Sequence, residues 1–500
     1  MSSETKDKRP PWPWVWLFSM LPFLGWWLTG LLDLDEGFYG AVAAEMNRRG
    51  EWITPYYNGH PWFEKPILTY WVTKPFLWVF GDQVGPRLPS VLATAATFAV
   101  IIWFAKRRMT EWTAAKAVLI LATSILFVAL GRMLMTDPLL NLAITAGFLT
   151  FWESLVGDYR WRWVTAACLG LGVLAKGPVA ILLFVPLAVW TFWREPELRP
   201  SFRKGWIIGT LILAGVIATW YVPAYLANRE QFVQQFLIEQ NLKRFTGGDA
   251  AHTLGGFASL IFFIPILLLG MAPWSFLLWN AWPRSQSPEV DAELQTPNSK
   301  LQTALPRYLA AWAAIVFLFF SLSGAKLPHY ILPCFVPIAL LVGDHLQGRN
   351  LKPYFIGAAV MAILANAGFI LWYRLSGQQE AHALTRELEV MAAPDDAIIL
   401  YQLPRRQKSL GTGKPKIQET SLPSLLLYLN RTADDAENLN AGVRSRHRFW
   451  VFTRASRSLP QPLGWIVTRV PTKTEQRDYA LYRLEPSSSS NSLQQKNASR

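Results

Sequence analysis

Apolar residues gather into long runs separated by short polar stretches, at roughly 12 to 32, 88 to 105, 113 to 131, 138 to 156, 162 to 175, 178 to 193, 206 to 226, 257 to 279, 308 to 323, 329 to 346 and 354 to 373. A helix needs about 20 predominantly apolar residues to cross a bilayer, and most of these runs reach or approach that length. The pattern predicts a polytopic α-helical membrane protein with about eleven transmembrane helices. The range is roughly 10 to 13, because the fifth and sixth runs are short and only Lys176-Gly177-Pro178 parts them.

One interruption, Asp33 to Gly81, is polar and aromatic where its flanks are apolar. Within it, Phe38 to Arg49 places Tyr39, Val42, Ala43 and Met46 at helical spacing and Glu45, Arg48 and Arg49 toward water, with Gly50 suited to a C-cap. Trp52 to Trp62 reads as a loop at headgroup level, and Pro66 to Phe80 as a helix lying in the interface. The loops 33–87 and 227–256 are the two large external ones, the second carrying an amphipathic helix over Gln231 to Leu242. Arg284 to Arg307 reads as a cytoplasmic linker.

Beyond residue 373 the periodicity changes. Glu380 to Glu389 is an amphipathic helix; DDAIILYQL, RFWVFTRAS, GWIVTRV and YALYRLEP read as short strands, with a helix over Leu422 to Leu429. This predicts a small extracytoplasmic α/β domain over 374–485 and a disordered, low-complexity tail over 486–500.

Composition supports the membrane class, with 52% hydrophobic and only 16% charged residues. The net charge of +14 is spread over inter-helix loops and the tail, which fits topology signals and anionic membrane lipids and argues against nucleic acid as a partner. Cys168 and Cys334 lie far apart in apolar runs, so neither a disulfide framework nor a Cys-based metal site is expected. The start, MSSETKDKRPPWPW, reads as the lead into a retained first helix. No internal repeat is visible, which counts against a secondary transporter.

With the N-terminus in the cytoplasm, Lys and Arg are densest in the segments that then face inward. Parity places Asp33, Asp35, Glu36, Glu64, Lys65, Asp137, Lys176, His252, Lys326 and His329 on the extracytoplasmic face of the plasma (inner) membrane. Ionisable groups at a bilayer edge are costly, and their convergence predicts one catalytic cavity open to the outside. Simpler roles compete at single positions. Asp137, before Pro138, suits an N-cap, Lys176 could snorkel, and a lone His252 is more often structural than a ligand. Lys326 and Tyr330, at i and i+4, either share a helix face toward the cavity mouth or anchor at the interface.

Asp35-Glu36 and Tyr39, then Gly50-Glu51-Trp52, then Phe63-Glu64-Lys65-Pro66 keep the order and spacing D-E-x-x-Y, G-[DE]-W, F-E-K-P. This resembles the first extracytoplasmic loop of the polyprenyl-phosphate-sugar glycosyltransferases of the GT-C superfamily, which include the protein O-mannosyltransferases and the aminoarabinose transferases that modify lipid A. Lys176-Gly177-Pro178, Arg244-Phe245-Thr246-Gly247 followed by His252, and the stretch from Ser323 through Lys326 and Tyr330 to Pro333 resemble later motifs of the same family. The resemblance spans roughly residues 12 to 350 and implies a GT-C catalytic domain over 1–373.

It further implies transfer of a sugar, with inversion, from a polyprenyl phosphate to a lipid A-like glycolipid, a glycan or a protein, with no nucleotide. Asp35 is the expected base, with Asp137 or Glu36 behind it. Lys65 and Lys326, then Arg132, Arg244 and Lys176 with Tyr330, are the candidates to face the donor phosphate. For Glu64 and His252 the resemblance implies a divalent metal pair, Zn or Mg/Mn, although two protein ligands are few for tight zinc binding. Phe38 and Ala41 stand where the aminoarabinose transferases carry Arg and Glu, so the resemblance does not carry the identity of the sugar or of lipid A as acceptor. The competing functions are a transporter or flippase of lipid-linked saccharides, and a receptor or scaffold that uses the outer domain.

Overall fold

The computed structural model describes residues 9–33, 35–203, 205–243, 260–283, 297–346, 348–403, 405–408, 417–420, 422–436, 439 and 448–487. They form two compact units. One comprises Met1–Trp26, Phe63–Thr69 and Arg87–Ala367, the other Trp27–Trp62, Tyr70–Pro86 and Gly368–Arg500.

The first unit is helical. Among the described residues, five helices are long and apolar enough to cross a membrane: Leu88–Arg108, Asp137–Val156, Trp206–Gln240, Thr303–Leu322 and Lys352–Leu375. Two bent pairs, Glu111–Ala122 with Ile125–Gly131 at 76° and Phe263–Gly270 with Trp274–Ala281 at 106°, raise that to seven if each is one span. The remaining predicted runs are helical but shorter. Trp161–Lys176 and Val179–Arg194 have 16 residues each, and Gly177 at φ +78° ends the first of them. The run at 12–32 yields Trp12–Met20 and a 3₁₀ turn, and that at 329–346 opens with the 3₁₀ turn Pro328–Cys334 before Phe335–His345. Proline accounts for these breaks, since its ring removes an amide donor and clashes with the preceding turn.

Large aromatic side chains fill this unit's interior. Phe148 meets Trp312 at 5.1 Å, Trp152 meets Tyr308 at 4.9 Å, and Phe98 stacks on Phe127 at 5.9 Å. Such pairs add about 0.5–1.5 kcal/mol each beyond the area they bury. Lys352–Leu375 is by contrast apolar and largely uncovered, with Ile363, Leu364, Leu371 and Leu375 exposed. An apolar helix that the protein leaves bare is solvated by lipid. Two buried carboxylates clamp helix ends, Glu153 to Arg108 through two bonds of 2.7 Å and Glu195 to Arg307 through bonds of 2.8 and 2.9 Å.

The second unit begins with the helix Asp35–Arg48, closed by Gly50 at φ +64°. It starts three residues before the expected helix, and Glu45 is not solvated. Glu45 is buried and its Oε1 accepts from Arg49 Nε at 2.9 Å and from the amide of Gly59 at 3.0 Å. The segment expected as a plain loop contains a hairpin, β1 (Tyr56–Tyr57) with β2 (His60–Pro61), turned by Asn58 at φ +48° and Gly59 at φ +86°. Positive φ at both central residues matches the twist of paired strands. A helix is observed over Leu68–Val84, where Pro66 to Phe80 was expected to form one.

The carboxyl-terminal part contains the helices Gln378–Met391 and Ser424–Tyr428 and the strands β3 (Ala397–Tyr401), β4 (Arg405–Lys408), β5 (Ile417–Thr420), β6 (Asp434–Ala436), β7 (Phe449–Arg454), β8 (Trp465–Arg469) and β9 (Tyr479–Pro486). Five strands form one sheet in the order β6-β3-β7-β9-β8, parallel among β6, β3 and β7 and antiparallel from β7 through β9 to β8. β7 is central and buried along all but its last residue, consistent with its continuous apolar run. The small α/β domain expected here is thus observed. Most of the expected tail over 486–500 and the linker up to residue 296 lie outside the described residues.

Candidate active site

The helix Asp137–Val156 presents its first residue to the end of Trp161–Lys176. Asp137 Oδ1 accepts from Lys176 Nζ at 2.5 Å, and His329 Nε2 lies 3.9 Å from Oδ2. Lys65 also acts on this buried carboxylate electrostatically. The competing reading of Asp137 as a helix cap does not hold, because Thr136 holds the N-cap position, makes no side-chain cap bond, and Asp137 is spent on the ion pair. Lys176 therefore does not snorkel. Its ammonium also sits over the ring of Tyr330 at 4.6 Å, a cation–π contact that adds to the ion pair.

A cavity of about 160 Å³ opens beside this cluster. Glu64, Lys65, Lys176, Gln240 and Tyr330 supply its polar lining, and Phe236, Phe319, Phe320 and Leu182 are among its apolar walls. Glu64 and Lys65 pair at 3.8 Å. Two ammonium groups on one small cavity with aromatic walls suit a ligand that is anionic at one end and apolar beyond it. A second hollow in this unit, about 490 Å³, is lined by apolar side chains including Trp279, Phe317 and Ile338.

Other candidates sit elsewhere. Lys326 is buried, and its Nζ donates to the carbonyls of Phe320 at 2.7 Å and Ser321 at 2.6 Å, satisfying the end of the helix Pro297–Leu322. Burial lowers its pKa. Lys326 and Tyr330 do not share a helix face, since Leu327 is extended and the 3₁₀ turn begins only at Pro328. Arg132 is buried, donating to the carbonyl of Pro22 at 3.2 Å and to Asn366 Oδ1 at 2.6 Å. Arg244 and His252 lie outside the described residues.

In the second unit, Asp35 is exposed in the first turn of its helix. Glu36 is buried, and its Oε2 accepts from the amide of Leu32 at 2.8 Å. That bond ties the helix's first turn to the chain leading into it. Phe38, two residues further on, is buried and stacks on Trp62 at 5.5 Å.

For the metal, the described residues supply Glu64 alone of the two expected ligands, with the cation of Lys65 beside it. No group of three or more His, Cys, Asp or Glu side chains able to hold an ion occurs among the described residues. His329 belonged to the converging external set but was given no individual role from the sequence. The signal was its place between Lys326 and Tyr330 on the same external stretch.

Comparison with known proteins agrees with the motifs. Residues 32–233 match the family described as dolichyl-phosphate-mannose-protein mannosyltransferase. An undecaprenyl phosphate-alpha-4-amino-4-deoxy-L-arabinose arabinosyl transferase of Edwardsiella ictaluri is 30% identical over 67% of this chain and 59% of its own length. One from Sodalis glossinidius is 32% identical over the same shares, 67% and 59%. The chain thus spans under three fifths of the length of these curated relatives. Among solved structures, ArnT from Cupriavidus metallidurans bound to undecaprenyl phosphate superposes with a TM-score of 0.72 at 17% identity, covering 95% of this chain and 98% of that one. The apo state of the same protein gives 0.70. The fold is therefore the one ArnT has, and the resemblance drawn from the motifs is borne out.

Proposed function

We propose, from a GT-C fold joined to sequence kinship with the aminoarabinose transferases, that this protein is an integral-membrane glycosyltransferase. It takes a sugar from a polyprenyl phosphate and transfers it, with inversion, to an acceptor on the outer face of the plasma membrane. The acceptor class is a lipid A-like glycolipid, with a glycan or protein as the wider possibilities the family allows. The region 1–373 acts as the catalytic domain, and 374–485 as an extracytoplasmic accessory domain.

The observation that carries this reading is the cavity with Lys65 and Lys176 on aromatic and aliphatic walls. When the bond from the anomeric carbon to the phosphate oxygen breaks, the electron pair stays on the phosphate. Fixed cations that meet this developing charge lower the barrier. We assign that part to Lys65 and Lys176, with Tyr330 beside them. Asp137 holds Lys176 in place through the 2.5 Å pair. Lys326, Arg132 and Arg244 stay behind them as phosphate candidates, the first two already bonded to backbone or amide oxygens.

The acceptor's hydroxyl attacks the anomeric carbon and its proton passes to a carboxylate. Asp35 is assigned this role because it is the exposed acid at the helix start, while Glu36 is occupied with the amide of Leu32. Asp137 and Glu36 are the reserve. A divalent cation bound through Glu64 and His252 would add a Lewis acid to phosphate binding.

Purified protein incubated with undecaprenyl phosphate-4-amino-4-deoxy-L-arabinose and lipid A decides the matter. A transferase releases free undecaprenyl phosphate, whereas a flippase leaves the donor intact. Asp35→Asn is expected to fold as the wild type and to lose about 10²–10⁴-fold in turnover. Wild-type turnover in that variant overturns the assignment of the base.

A further inference from the structure

The second unit contains a buried chain of polar side chains that the transfer chemistry does not use. Asp33 Oδ1 accepts from the amide of Ser424 at 3.0 Å, and its Oδ2 accepts from Ser424 Oγ at 2.5 Å. Ser424 Oγ also meets His382 Nε2 at 2.7 Å, and His382 Nδ1 meets Tyr373 Oη at 2.9 Å. The amide of Leu31 donates to Tyr428 Oη at 2.9 Å, and that of Leu32 to Glu36. Three consecutive residues, 31 to 33, are each tied down just ahead of Asp35. Ser424 and His382 are buried.

Two glycines admit this approach. A Cβ on Gly37 would lie 1.9 Å from Asp33 Oδ1 and 2.6 Å from the amide nitrogen of Ser424. One on Gly30 would lie 2.5 Å from His382 Nδ1 and 2.8 Å from the hydroxyls of Tyr373 and Tyr428. Such contacts are closer than real Cβ atoms show, so the backbone of 30–37 can lie flush on the helix Ser424–Tyr428 only without side chains there. A serine between a carboxylate and an imidazole has the makings of a nucleophile, but burial keeps any substrate from it.

The polarity of the chain is self-consistent. With Asp33 ionised, Tyr373 donates to His382 Nδ1, Nε2–H donates to Ser424 Oγ, and the serine proton goes to Asp33. With Asp33 protonated, each of the three side-chain bonds reverses and none is lost. A fully satisfied buried network of this kind specifies one geometry more sharply than apolar packing does.

We propose that Ser424 and His382, contributed by the carboxyl-terminal domain, are positioning residues that clasp Asp33 and thereby fix where Asp35 is presented for the transfer reaction. This rests on the assignment of Asp35 above, and the clasp itself can be read without any turnover. Full-length wild type, Ser424→Ala, the hydroxyl-retaining Ser424→Thr and His382→Gln are purified in nanodiscs and checked for a monodisperse fold. Amide hydrogen exchange over 31–37 reports the clasp. Turnover with undecaprenyl phosphate-4-amino-4-deoxy-L-arabinose and lipid A reports its consequence.

Ser424→Ala is expected to raise exchange over 31–37 at least tenfold and lower kcat about 10–100-fold. The donor KM stays within about twofold, since the cavity that takes the donor phosphate is untouched. Ser424→Thr recovers most of both, and His382→Gln falls between. Unchanged exchange in Ser424→Ala overturns the clasp. Raised exchange with wild-type kcat overturns the positioning role, and a loss confined to KM does so as well. Absence of turnover in the wild type removes the transferase reading and the catalytic half of the proposal together, while the exchange result still decides whether the clasp exists.

Discussion

At the scale of single residues, two carboxylates behave oppositely. Asp137 is buried among cations, and removing it strands them. Asp137→Asn is expected to cost about 3 kcal/mol, the lower end for breaking a buried pair because Lys176 also reaches the cavity. Lys176→Met in the same chain returns part of that loss, and chemical denaturation of the two singles and the double reads the coupling. Among the described residues Asp33 makes no ion pair, and burial raises its pKa to about 7 against the lowering by the Ser424 hydrogen bonds, with Glu36 adding repulsion. The folded protein then holds a proton on Asp33 between about pH 4 and 7 that the unfolded chain releases, so this group's contribution falls as pH rises through that window. The apparent midpoint of thermal unfolding should decline between pH 5 and 7.5 by a few degrees more in the wild type than in Asp33→Asn. Parallel profiles for the two proteins would falsify the shift.

At the scale of elements, the carboxyl-terminal sheet depends on β7. Phe452 is buried and stacks on Tyr479 of β9 at 5.5 Å. Phe452→Ala should cost about 3–5 kcal/mol. The loss should appear as trypsin cleavage within 374–485 at protease levels the wild type survives, while the fragment carrying the membrane helices persists. β4, β5 and β6, short and mostly polar, offered no apolar run to read, whereas β3, β7, β8 and β9 were legible from theirs. Glu45 was not. Its place on the helix suggested water, and only the return of the hairpin through Gly59 covers it. For Asp137 the sequence offered both a cavity carboxylate and a cap before Pro138, and its partner Lys176, which decides between them, lies 39 positions away. The motif residues Glu64, Lys65, Lys176 and Tyr330 were found by pattern, and they do line one cavity. The clasp on Asp33 was invisible, since its donors lie 391 residues on.

At the scale of the whole molecule, the transfer reading requires the acidic helix start and the outer sheet domain to face one compartment and the basic loops the other. The apolar helices say that the chain crosses the membrane, while the distribution of Lys and Arg says which way round. Single cysteines test this in a background lacking Cys168, which is half-buried, and Cys334, which is buried. Positions 35, 52 and 463 are exposed and belong to the outer set; Arg194 and Arg349 are exposed and belong to the inner. In intact spheroplasts a membrane-impermeant maleimide should label cysteines at 35, 52 and 463 to completion and leave those at 194 and 349 unlabelled until the membrane is opened. Protection of position 35 until the membrane is opened sinks more than an orientation. Asp35 would then face a compartment where nucleotide sugars are at hand, and a lipid phosphate would no longer be the leaving group that the two lysines of the cavity are arranged to receive.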